Sequence, residues 1–243
     1  MKYTIWIMIT TGCMLWGQEG IGQNNQQLKK YIEQLLPSQT PQQTRKDRIY
    51  KEIKKYLGTL SRKQTRSKND RRFLKFLFYN VQKKYLKRFQ MHRNFADIFS
   101  DSKQFNCVSA ATLYALLLQE LGYKYTIHET PFHVFLVVHT QKDPQIMFDP
   151  TDARQGFLYN PYAIRKRIRY HSEKDGHKLN LPITLPQLIG LQYYNQGVDD
   201  FNHQKFDKAL AKLSRAYEFY PSERIEALRT LTSHYYKTEL AEK

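Results

Sequence analysis

Residues 105–150 limit the fold more tightly than any other part of the chain. "FNCVSAATLYALLLQELGY" (Phe105 to Tyr123) begins polar, continues as an apolar run and ends in a glycine. This pattern predicts a helix over Cys107–Leu121, with Gly122 just past its C-terminal cap. Three short apolar stretches follow: "KYTIHE" (124–129), "HVFLVVH" (133–139) and "QIMFDP" (145–150). Their connections are too short for a crossover, so the strands must be antiparallel neighbours. A helix followed by a small antiparallel sheet is an α+β arrangement.

Of 243 residues, 41% are hydrophobic, too many for a disordered chain and enough for a sizeable core. Lys and Arg give a formal net charge of +17, compatible with an anionic surface as partner. Between Arg45 and Arg93 there are 18 Lys or Arg against three acids. Aromatic residues in that stretch sit at core spacing rather than on a stacking platform, and no helix-turn-helix, zinc-finger or RNA-binding signature accompanies them. The stretch therefore reads as solvated helix faces with long basic stems, and nucleic acid is not an expected partner.

Residues 1–17 have one Lys before an apolar run too short for a comfortable membrane span, the shape of a secretory signal. The protein is thus expected to be exported, to a periplasm or outside the cell. Cys13 after Thr-Thr-Gly is the weaker alternative of a lipid-attachment site. Cleavage beyond Cys13 leaves Cys107 as the one cysteine of the mature chain, which excludes an intrachain disulfide.

Residues 24–100 read as a basic helical segment, with helices near Gln26–Leu36, Lys46–Tyr56 and Asp70–Phe89. Pro37 to Gln43 forms a linker, and a polar loop occupies "GTLSRKQTRSKND" (58–70). Residues 101–187 form the α+β unit, in which 151–187 carry no firm assignment. From Leu188 onward the chain is helical again.

A thiol is a weak nucleophile until it ionises, and a helix start favours the thiolate. Cys107 is at such a start, with the small residues Ser109, Ala110 and Ala111 beside it. It still needs a base and a group that orients the base. His133 opens the most hydrophobic strand candidate and Asp149 ends the next. A turn near Thr140 to Pro144 pairs His139 near Gln145, so odd residues face odd residues. His133 and Asp149 then lie on one face at nearly the same level. Asp152 is the reserve carboxylate if the register slips. Taken singly, a lone cysteine before an apolar helix is more often a small buried hydrophobe. Zinc held by Cys107, His133 and Asp149, with His128 as a fourth ligand, lacks any CxxC or HExxH motif, and neither metal nor cofactor is expected. His92, His139, His171, His177, His203 and His234 read as surface or loop residues.

The order Cys at a helix start, His opening a strand and Asp ending the next resembles the transglutaminase-like superfamily. "NC" with its Leu-rich helix and "LGY", "PFHVFLVV" and "MFDPTD" carry the likeness, over residues 101–152. It implies a papain-like core in which Cys107 is the nucleophile, His133 the base and Asp149 the orienting carboxylate. The implied activity is thiol-dependent acyl transfer or amide hydrolysis on peptides or proteins. Backbone N–H groups near Cys107 would meet the oxyanion; Gln104 is a candidate side-chain donor that reads first as a polar loop residue. Phe-Asn and Val-Ser replace the Gly and Trp that often flank the family's cysteine, which points away from transglutaminase activity proper. The second functional class is a non-catalytic scaffold on the same fold.

"YYNQGVDDFNHQKFDKALAKLSRAYEFYP" (193–221) resembles a tetratricopeptide repeat, with Tyr193, Gly197, Phe206, Ala209, Leu213, Ala216 and Pro221 in the family's aromatic, small and apolar places. Asp200 replaces a usual aromatic. Residues 188–243 are accordingly expected to form a helical unit that serves as a structural prop, with a surface for a peptide partner as the alternative. One repeat cannot bury a core alone, so it should pack on the cysteine-bearing unit.

Overall fold

The computed structural model describes residues 19–36, 42–174 and 177–241. The expected signal at 1–17 with Cys13, most of the 37–43 linker and the side chain of His177 lie outside the described residues. Three helices come first: α1 (Glu19–Leu35), α2 (Gln42–Thr65) and α3 (Asp70–Tyr85). In α1, Leu28, Tyr31, Ile32 and Leu35 form a buried stripe at helical spacing. Helix α2 runs nine residues past the expected Tyr56, through most of the supposed polar loop. The inward stripe of Ile49, Ile53, Tyr56 and Leu57 continues to the fully buried Leu60, and that burial overrides the helix-weakening Gly58. Helix α3 stops at Tyr85, four residues short of the expected Phe89.

Next come β1 (Arg88–Phe89), a 3-10 turn (Phe95–Phe99) and β2 (Gln104–Phe105), with β1 and β2 paired in parallel. Helix α4 (Cys107–Glu120) precedes β3 (Lys124–Glu129), β4 (Val134–His139), β5 (Ile146–Phe148) and β6 (Phe157–Leu158). Helix α5 (Pro161–Ser172) occupies the stretch without a firm sequence assignment. The pair β7 (Glu173–Lys174) and β8 (His177–Lys178) and the strand β9 (Leu181–Ile183) follow. The chain ends with α6 (Leu185–Asn202), α7 (Phe206–Phe219) and α8 (Glu223–Ala241). The structure is mixed α+β.

Five strands form one antiparallel sheet in the order β6-β5-β4-β3-β9. Leu136 pairs with Phe148 and Val138 with Ile146, the register that the His139–Gln145 alignment requires. Pro182 sits in the edge strand β9, where a missing N–H is tolerated. Even residues of β4 (Val134, Leu136, Val138) join the main core. Odd residues (Phe135, Val137) face away from it, toward Met147 and Ile164 under α5. The sheet is therefore covered on both faces.

Buried α4 is the centre of the core, where Val108 to Leu118 are all buried. Tyr114 Oη donates to the Phe78 carbonyl at 2.8 Å, which ties α4 to α3. Gly122 adopts φ +77°, the left-handed position expected after a helix end. The apolar core is continuous from Leu28 to Ile225. The last three helices pack on the rest: Gln192 Nε2 donates to the Leu35 carbonyl at 3.1 Å, and Phe95 N donates to Gln192 Oε1 at 2.9 Å. Between α6 and α7 the approach is close. A Cβ on Gly197 would lie 2.7 Å from Leu213 Cγ. Asp200, in its nearly buried position, pairs with Lys212.

Candidate functional site

Asn106 caps α4 and thereby sets the position of Cys107. Its Oδ1 accepts from Ser109 N at 2.8 Å, and its own N donates to Ser109 Oγ at 3.0 Å. The Asn106 amide Nδ2 donates to the Met91 and Arg93 carbonyls at 2.9 and 2.8 Å, holding the preceding loop against the helix start. Cys107 is the first residue of the helix and is partly exposed. The N–H groups of Cys107 and Val108 have no carbonyl four residues back to bond. Gln104 lies on β2 and does not line the cleft at Cys107, so it is not placed as an oxyanion donor.

His133 sits one residue before β4 and Asp149 one residue after β5, so the sheet brings them together from opposite directions. His133 Nε2 is 2.9 Å from Asp149 Oδ1. The Cys107 thiol lines the same cleft as the imidazole and is near enough to favour its charged form. Burial opposes a charge on the ring. The bond to Asp149 and the nearby Cys107 sulfur outweigh it and raise the His133 pKa from 6.5 to about 9. Cys107, His133 and Asp149 thus meet in the order sulfur, imidazole, carboxylate.

Asp149 is 1% exposed, and donors surround its carboxylate. Oδ1 accepts from Thr151 Oγ1 at 3.1 Å, and Oδ2 accepts from Arg167 Nη1 at 2.7 Å and meets His171 Nε2 at 3.0 Å. Burial alone would favour the neutral acid. The bonds from His133 and His171 reverse that and hold the group far below the usual carboxylate range. The backbone is fixed as well. Asp149 N donates to the Gly156 carbonyl at 2.8 Å, and a Cβ on Gly156 would lie 2.2 Å from the Asp149 carbonyl oxygen. Only glycine fits that approach.

Asp152, the reserve carboxylate, has a different task. Its Oδ2 accepts from Arg167 Nη2 at 3.0 Å, and its Oδ1 accepts the Arg154 and Gln155 amides. It anchors the arginine that anchors Asp149.

His171 is not the surface or loop residue that its sequence context suggested. Its ring centroid is 4.2 Å from that of His133, and it shares Asp149 with it. Sequence reasoning missed both His171 and Arg167, although a signal existed. Ile164, Arg167, Ile168 and His171 recur at helical spacing, and the two isoleucines mark that stripe as the face turned to the sheet. His92, His203 and His234 are exposed as expected.

Where the sequence weighed zinc on Cys107, His133, Asp149 and His128, the structure groups His133, Asp149 and His171, with ligand atoms within 4.8 Å of one another. His128 instead stacks on Phe135, with centroids 5.0 Å apart, and bonds Asn180. The Arg167 guanidinium supplies a cation to Asp149 in the same cluster.

Cys107 and His133 open into a cleft of about 390 Å³. Its other walls come from Phe89 on β1, from Met91 and Phe132 on loops and from Leu191, Tyr194 and Val198 on α6. The chain matches no family model, no curated protein and no solved structure. No helix among the described residues is long and apolar enough to cross a membrane.

Proposed function

We propose that the protein is a thiol-dependent enzyme that breaks or exchanges amide bonds in peptides or proteins, on a transglutaminase-like, papain-type core. The observation that carries this reading is the His133 ring. It is held by Asp149 at 2.9 Å on one nitrogen and shares the mouth of a cleft with Cys107. Each member alone has an ordinary structural explanation. A nucleophile, a base and an orienting carboxylate in sequence do not arise from packing needs.

In this mechanism the thiol proton moves to His133 and the Cys107 sulfur attacks the amide carbonyl carbon. The oxygen becomes an oxyanion facing the first N–H groups of α4. His133 then gives its proton to the leaving nitrogen as the C–N bond breaks, and an amine and a thioester result. Water, or a second amine, attacks the thioester while His133 takes its proton. The sulfur departs and is reprotonated. Asp149 keeps the ring oriented and carries the counter-charge throughout.

Iodoacetamide labelling of Cys107 between pH 4 and pH 9, followed by intact mass, tests the reading. Fast labelling at pH 6 that is lost in His133→Ala supports it. A reactivity midpoint near the free-thiol value of about 8.5, indifferent to His133, overturns it and leaves the scaffold.

A further inference from the structure

Helix α6 presents two different faces. Gly190, Tyr193 and Gly197 turn toward α7: a Cβ on Gly190 would lie 2.8 Å from Tyr220 Cβ, and Tyr193 stacks on Phe219 with centroids 6.1 Å apart. Leu191, Tyr194, Asn195 and Val198 recur at helical spacing and line the cleft that holds Cys107 and His133. The repeat-like helices are therefore a wall of the site.

That wall is tied in place from beneath. Glu129, the last residue of β3, is 2% exposed and accepts from Tyr220 Oη at 2.8 Å. Its other oxygen pairs with Arg224 of α8, whose guanidinium lies 4.9 Å from the Tyr194 ring centroid. One buried carboxylate thus joins the sheet to the helices across the cleft. Removing either partner would strand a buried charge.

The lining chemistry selects the occupant. Phe89, Met91 and Phe132 are 49%, 67% and 57% exposed, large apolar side chains gathered at one opening opposite Leu191 and Val198. Charged lining groups already have opposite charges at hand: Glu129 with Arg224, His92 with Asp199 at 3.5 Å and His133 with Asp149. A charged substrate side chain entering here would lose its hydration without gaining a partner, whereas an apolar one covers exposed apolar surface.

We infer that α6 is the substrate-selecting wall of this site and that the cleft takes a peptide with a large apolar residue beside the reacting carbonyl. This rests on the thiol-enzyme reading above and goes further by assigning specificity to the C-terminal helices.

The test uses peptidyl vinyl sulfones that are identical except for Phe, Leu, Asp or Lys next to the warhead, with iodoacetamide as a probe that carries no side chain. The rate of adduct formation at Cys107 is read by intact mass on the full chain. The Phe and Leu probes should react at least tenfold faster than the Asp and Lys probes. Equal or reversed rates, with iodoacetamide labelling still dependent on His133, overturn the apolar selection alone. Slow labelling by every probe, independent of His133, overturns the enzyme reading beneath it.

Val198→Asp places a charge on the α6 wall and should lower the Phe-probe rate, divided by the iodoacetamide rate, at least tenfold. An unchanged ratio removes α6 from recognition. If that variant does not fold, Phe132→Ser, on an exposed loop position, should lower the same ratio at least fivefold, and an unchanged ratio again counts against the proposal.

Discussion

His133 and His139 stand at opposite ends of strand β4 and on the same face of the sheet, yet their surroundings differ in kind. His139 has neutral partners for both ring nitrogens: Nδ1 meets the Pro144 carbonyl at 2.8 Å and Nε2 meets Thr126 Oγ1 at 3.0 Å. The carbonyl can only accept, so Nδ1 carries a hydrogen. His133 faces a carboxylate and a thiol, under a helix that adds Arg167 and His171. One end of the strand uses a histidine to close a turn. The other holds one against a buried carboxylate, beside a thiol. Residue type and strand position are shared, so the chemistry of the partners makes the difference.

The largest test of that contrast is Asp149→Asn. It removes the charge that His133, His171 and Arg167 converge on and leaves buried cationic groups uncompensated. Urea unfolding should show a loss of about 3–5 kcal/mol, the usual cost of breaking one side of a buried pair. A loss below about 1 kcal/mol would make this end no more committed than the His139 end.

Next in size is the dependence of stability on pH. The folded pKa of His133 is raised from 6.5 to about 9, so its contribution is complete below 6.5 and disappears as pH rises through 9. Asp149 is shifted the other way from 3.8, so its contribution is present above that value and is lost on acidification. Stability should be greatest between about pH 4 and 6.5 and fall toward pH 9 by an amount on the order of a few kcal/mol. In His133→Gln the alkaline decline should flatten. If His133→Gln declines as steeply as the wild type, another group carries the effect.

His133→Ala should reduce iodoacetamide labelling of Cys107 at pH 6 at least tenfold, a difference of about 1.4 kcal/mol. His139→Ala should leave that rate within about twofold, a shift of well under 1 kcal/mol. Equal effects would dissolve the distinction between the two ends. The smallest effect belongs to Thr126→Val, which takes the hydroxyl from His139 Nε2. It should cost about 1 kcal/mol in thermal unfolding and leave Cys107 labelling as it was, because that end has no connection to the sulfur.

Much of this was legible in the order of residues. The cysteine helix, the three central strands and the β4–β5 register follow from local apolar periodicity and short connections. The same alternation that sends Leu136 and Phe148 inward puts His133 and Asp149 together on the other face. One region differs from its expectation and another carried no assignment, for one reason. Residues 58–65 look like a polar loop, and "IRKRIRYHS" (164–172) looks solvated. In each, a few apolar residues (Leu60 in α2, Ile164 and Ile168 in α5) find a distant surface to cover, and the basic residues between them stay outside or find acids.

Sequence by itself determined which residues lie on which face of their own helix or strand, because that depends only on a period of 3.6 or 2 residues. The tertiary structure alone decided that α5 covers the outer face of the sheet, that Arg167 and His171 reach the second oxygen of Asp149, and that α6 walls the cleft over Cys107. Burial of a charge depends on a partner arriving from elsewhere in the chain, and no local period encodes that arrival.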